Sequence, residues 1–96
     1  MPSVVLTKRA ENDLDLIHEY YQELLGTEAS FRIISAILKT FDQLEQFPGS
    51  GRPSVVPDIR ELVLTQYPFI APYRLIHGRI QVIRVLHQRA ERPQDW

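Results

Sequence analysis

Cysteine is absent from the 96 residues, which excludes disulfides, thiolate metal ligands and a cysteine nucleophile. Lysine is scarce: beyond Lys39 every basic side chain is arginine. No apolar run approaches the roughly 20 residues that a membrane-spanning helix needs. The opening MPSVVLTKRAENDLD lacks the apolar stretch and small-residue cleavage site of a secretion signal, so a cytoplasmic protein is expected. No Gly-Lys-Ser/Thr follows the glycines of PGSGRPSVVPD, which therefore read as a helix stop and connector, not as a phosphate cradle. His18, His77 and His87 share no ligand spacing, so no metal site and no cofactor are expected. No serine occupies a nucleophile elbow.

What is present is a globular composition, 44% hydrophobic and 24% charged, which argues against disorder. The length allows one core and not two, so a single domain over residues 1–96 is expected. The net charge of −1 is unevenly divided. Residues 1–47 hold four basic against eight acidic residues (−4), and residues 48–96 hold seven arginines against four acids (+3). Lysine would serve solubility as well; arginine adds a planar fork suited to phosphate or carboxylate. A polyanion or an acidic partner is thus expected at the C-terminal half.

SVVLT reads as a short strand, with Thr7 placed to cap the helix after it. Ala10, Leu14, Ile17, Tyr21 and Leu24 recur at helical spacing, with Glu11, Asp15, Glu19 and Glu23 along another side, and Gly26 ends the helix. Thr27 is a second capping candidate. A helix from Glu28 is expected to bury Ile34, Ile37, Leu38, Phe41 and Leu44 until Pro48-Gly49 stops it. Two helices joined by a two-residue link lie antiparallel. The period then changes to two: IRELVLT, FIAPYRLI and RIQVIRVLH read as strands, the last two joined by a primed turn at His77-Gly78. The expected fold is α+β: an N-terminal strand, an antiparallel helical hairpin, then a three-stranded antiparallel sheet packed on it.

The two-residue turn sets the register of the last hairpin. One face carries Phe69, Ala71, Tyr73 and Leu75 opposite Leu86, Arg84, Val82 and Ile80, and should pack on the helices. The other carries Ile70, Pro72, Arg74 and Ile76 with Arg79, Gln81, Ile83 and Val85, and ends in His87. Pro72 has no N–H, so a ladder gap or bulge is expected there. Arg84, on the apolar face, should pair with a helix carboxylate, because an unpaired buried charge is too costly. Tyr73 should be core, its hydroxyl reaching an edge.

Arginine, histidine and tyrosine can cleave RNA without a metal, because the 2′-hydroxyl of the RNA itself attacks the phosphate. The reaction then needs a proton acceptor and donor, for which histidine is the suitable side chain. It also needs fixed positive charge on the phosphate. His87, Arg60 and Arg89 are the catalytic candidates, and Arg52, Arg74 and Trp96 the substrate-binding ones.

The order of strand, helical hairpin, FPGSGRP, RELV, YPFIAPYRL and IQVIRVLHQR resembles toxins of the RelE/ParE superfamily of bacterial type II toxin–antitoxin modules, over nearly the entire chain. The resemblance implies a cognate antitoxin that wraps and neutralises the toxin. It also implies one of two targets: mRNA in the ribosome, cut by RelE-like members, or DNA gyrase, poisoned by ParE-like members without a nuclease site. Arg60, His87 and Arg89 match positions of the nuclease pattern. Ile70 stands where many nucleases place an arginine, and QRAERPQDW ends in Trp96 where they place a catalytic tyrosine. The sequence reading favours a ribosome-dependent mRNA endonuclease. A non-enzymatic gyrase inhibitor is the alternative, and an inactive antitoxin-binding module the third.

Overall fold

The computed structural model describes residues 3–92. The elements run β1 (Ser3–Leu6), α1 (Lys8–Leu25), α2 (Thr27–Gln46), β2 (Arg52–Pro53), β3 (Arg60–Val63), β4 (Phe69–Ile76), β5 (Arg79–Val82) and β6 (Leu86–His87). The sheet order is β1-β5-β4-β3-β2, with β6 also paired to β4. An α+β fold with a helical hairpin on one sheet is therefore as expected, but the sheet is mixed. β1 runs parallel to β5, placing Val4 beside Ile80 and Leu6 beside Val82. Alternation of side chains reports a strand and its faces, and carries no information on the direction of its neighbour.

Thr7 caps α1 as its position suggested: its Oγ1 accepts the Ala10 N–H at 3.1 Å. The same oxygen donates to the Ile83 carbonyl at 2.6 Å, so one hydroxyl starts the helix and ties it to the sheet. Ala10, Leu14 and Ile17 face the core, and α1 ends at Gly26, whose φ of 94° suits a residue without a side chain. The link is this single glycine and not two residues. Thr27 opens α2 without a side-chain cap. Ile33, Ile37, Phe41 and Leu44 form the buried stripe of α2, with Ile34 half-buried against it. Leu24 and Leu38, expected inside, are exposed. Leu38 lies one step round α2 from Ile37, and Leu24 continues the line of Ile17 two turns further along α1, past its last buried residue; helical spacing alone separates neither from the core.

Between the helices, Ser30 is fully buried and its Oγ donates to the His18 carbonyl at 2.7 Å. That direction makes His18 Nδ1, also 2.7 Å away, the donor back to Oγ. Tyr21 packs edge-on against Phe69 across the core, at 6.5 Å between ring centres. Burial holds the Tyr21 phenol above its ordinary pKa of 10.0, and the neighbouring phenols of Tyr20 and Tyr67 push the same way. A group with a raised folded pKa contributes stability that is intact below its unfolded pKa and lost as pH rises through the folded one. The urea midpoint of the protein should therefore fall as pH climbs past about 10, and fall less in Tyr21→Phe. Equal alkaline slopes in the two proteins would contradict this origin.

The turn at His77-Gly78 has φ of 50° and 72°, the positive pair of a primed hairpin. From it the expected register holds for four residues, with Leu75 opposite Ile80 and Tyr73 opposite Val82. It then slips. Ile70 pairs with Leu86 and Phe69 with His87, so two residues of β4 (Ala71, Pro72) face three on the other side (Ile83, Arg84, Val85). This is a β-bulge, seated where Pro72 accepts from the Ile83 N–H at 2.8 Å and has no N–H to return. RIQVIRVLH is accordingly two short strands and not one. The slip of one residue moves His87 from the outer face, where alternation put it, to the helix side beside Phe69.

Candidate functional site

The bulge is locked by a carboxylate from α1. Asp13 accepts Arg84 Nε at 2.8 Å and Nη2 at 3.0 Å, and its Oδ2 also takes the Val85 N–H at 2.9 Å. Arg84 is thus the structural partner of a helix acid, as its place on the apolar face required. The bidentate hydrogen bond, more than the charge of Asp13, holds its guanidinium pKa above the ordinary value.

The arginines of the C-terminal half separate into two groups. Arg60, on β3, lies opposite Tyr73, and its Nη1 donates to the Gly51 carbonyl at 2.6 Å. Arg74 projects from the outer face of β4 and donates Nε to Gln81 Oε1 at 2.8 Å. Both line an open cleft of about 710 Å³ between the 48–59 loop and the end of β4, with Asp58, Ile59, Leu75 and Ile76 among its walls. Two cations beside the exposed Leu75, against Asp58 as the one acid of the lining, form a surface that an extended, acidic segment of another chain can fill.

Arg52 belongs to the second group. Its Nε and Nη2 both reach Glu61 Oε1 at 3.1 Å, while Arg92 Nε reaches Oε2 at 3.1 Å. Glu61 is 7% exposed, and this shared carboxylate fastens β2 and the C-terminal residues Gln88–Arg92 to β3. The Arg-Glu pair within GRP…RELV is legible in the sequence once β2 and β3 are known to pair. Without that pairing Glu61 is one acid among twelve, and it was missed.

His87 and Arg89 stand apart from both groups. His87 is exposed at the end of β6, its ring edge-on to Phe69 at 6.0 Å, and its Nδ1 accepts the Arg89 N–H at 3.1 Å. Its pairing partner Phe69 lies four residues along β4 from Tyr73, the partner of Arg60, about 13 Å at strand spacing. Arg74 is on the opposite face. The fold therefore brings Arg60 and Arg74 to one cleft, His87 and Arg89 to another corner, and Arg52 into an ion pair. Trp96 lies outside the described residues. Among the described residues no group of three or more His, Asp or Glu side chains could hold a metal ion, and no helix is long and apolar enough to cross a membrane.

Comparison with known proteins places this geometry. The chain is 35% identical to Y4kP of Sinorhizobium fredii over 92% of its length and 90% of that protein. It is 29% identical to the toxin ParE1 of Caulobacter vibrioides over 86% of its length and 85% of that protein. It superposes on a chain of the chromosomal ParDE toxin–antitoxin system from P. aeruginosa with a TM-score of 0.85 and 37% identity, covering 91% of this chain and 96% of that one. A chain of the intact E. coli RelBE toxin–antitoxin complex shares the fold, with a TM-score of 0.64, 18% identity and coverage of 96% and 100%. The model of the ParE toxin of type II toxin–antitoxin systems matches residues 4–92, and the chain belongs to that family.

Proposed function

We propose that this ParE-family toxin arrests growth by binding DNA gyrase and does not cut mRNA. One observation carries the reading: the groups that RNA cleavage would need to converge on a single phosphate are distributed over different places in the fold. His87 and Arg74 are on opposite faces of the sheet, Arg60 is about 13 Å along β4 from the partner of His87, and Arg52 is engaged by Glu61. Acid–base catalysis and charge stabilisation require hydrogen-bond reach of one reacting centre. Similarity to ParE chains supports the same reading.

As a toxin of a type II module, the protein implies a cognate antitoxin. The cleft with Arg60 and Arg74 suits an acidic stretch of that antitoxin, and the contact should weaken at high salt because both arginines are reachable by solvent ions.

The test is induction of the toxin without its antitoxin, reading growth, ribosomal mRNA integrity and plasmid supercoiling together. Intact mRNA with gyrase-dependent DNA damage is expected, and His87→Ala should keep both the damage and the growth arrest. Rapid mRNA cleavage that His87→Ala abolishes would overturn the proposal. It would instead support the nuclease reading with His87, Arg60 and Arg89, for which the exposure of His87 beside Arg89 is the supporting observation. Normal growth would leave only an antitoxin-binding module.

A further inference from the structure

The outer side of α1 carries large apolar side chains in a regular row. Leu16, Tyr20 and Leu24 are 64%, 62% and 61% exposed and recur every four residues. They form a continuous apolar ridge about 12 Å long. Asp15, Glu19 and Glu23 each precede one member of that ridge, so a second, acidic ridge runs directly alongside it. The three acids are exposed and have no ion-pair partner among the described residues. Like charges four residues apart disfavour the helix. An acid in the last turn also opposes the helix dipole, and that turn contains no basic residue. For α1 alone both ridges are unfavourable; together they complement a protein surface that is apolar at its centre and basic at its rim. An enzyme that grips DNA must present such basic surfaces to the phosphates.

We infer that the outer side of α1 is the face that docks on gyrase, with Leu16, Tyr20 and Leu24 buried at the contact and Asp15, Glu19 and Glu23 meeting a basic, DNA-handling surface of the enzyme. This rests on the gyrase reading above. The inner edge of the same helix connects the ridge to the core: Tyr20 stacks edge-on with Tyr21 at 5.1 Å, and Tyr21 with Phe69. The ridge is thus held on a packed helix and not on a loop, which lowers the ordering cost of docking.

The experiment uses the full chain and purified gyrase, measuring direct binding and inhibition of supercoiling at low and elevated salt. Asp15→Lys/Glu19→Lys/Glu23→Lys should weaken binding about tenfold or more and remove most of its salt dependence. Leu16→Ser/Tyr20→Ser should weaken it comparably while leaving the salt dependence in place. Both variants change exposed side chains, and thermal melts confirm that each is folded; if the charge variant is not, the apolar variant decides alone. Asp42→Lys, at an exposed acid on α2, is set against Glu19→Lys, which makes the same change in net charge. Wild-type binding with unchanged affinity in the ridge variants overturns the docking face and leaves the gyrase reading intact. A loss in Asp42→Lys equal to that in Glu19→Lys overturns it too, since net charge would then explain the effect. Absence of wild-type binding to gyrase removes the reading itself.

Discussion

Asp13→Ala should lower the unfolding free energy by about 3 kcal/mol, at the lower end of what breaking a buried ion pair costs. The lower end applies because the two side chains retain 13% and 23% exposure. Three hydrogen bonds end on this one carboxylate, two from Arg84 and one from the Val85 amide. Alanine removes all three and leaves a guanidinium and a backbone N–H of the bulge without partners, and that desolvation dominates the loss. Asp13→Asn keeps an acceptor for Val85 and should cost less. Arg84→Ala leaves Asp13 still bonded to Val85, and should likewise cost less than Asp13→Ala. Urea unfolding of the three variants checks the order. A loss below about 1 kcal/mol for Asp13→Ala would class the pair with ordinary surface salt bridges.

Gly51→Ala should be of similar size, about 3 kcal/mol, for a steric reason. A Cβ at Gly51 would lie 2.6 Å from Tyr73 Cε1, 2.7 Å from its hydroxyl and 2.9 Å from the Glu61 carbonyl oxygen. Tyr73 is 2% exposed and has no room to retreat. Its hydroxyl accepts the Gly51 N–H at 2.9 Å and donates to the Pro48 carbonyl at 2.7 Å, so the clash also breaks the bonds that hold the loop to the sheet. The cleft wall should loosen with it, because the Gly51 carbonyl anchors Arg60. Tyr73→Phe alone should cost about 1 to 2 kcal/mol for the two lost hydrogen bonds. In that background Gly51→Ala should cost less, since the oxygen it strikes is gone. Additive losses across the cycle would show that the contacts phenylalanine leaves in place, with the ring carbon Cε1 and the Glu61 carbonyl, control the site and not the hydroxyl.

Much of this protein is legible in its residues. The 3.6 period of α1 and α2, the Thr7 cap, the two positive-φ residues at His77-Gly78 and the alternation of β4 are local properties, set by contacts within a few positions in the chain. The same alternation placed Arg84 on the apolar face, and the cost of an unpaired charge there was enough to demand a helix carboxylate. It could not say which one. Asp13 is 71 residues away, and only the packing of α1 on the bulge selects it from the acids of that helix.

What the tertiary structure alone decided follows from three non-local events. The parallel docking of β1 on β5 made the sheet mixed. The pairing of β2 with β3 put Arg52 on Glu61 and withdrew it from the candidate site. The bulge opposite Pro72 turned His87 to the helix side. A proline predicts a gap in the ladder, but which strand absorbs the extra residue depends on what the neighbouring chain can bond, and here Thr7 and Asp13 hold it at Ile83–Val85. A side-chain period of two converts that one-residue shift into a change of face, which is why the residue types of the site could be read in order along the chain while their assembly could not.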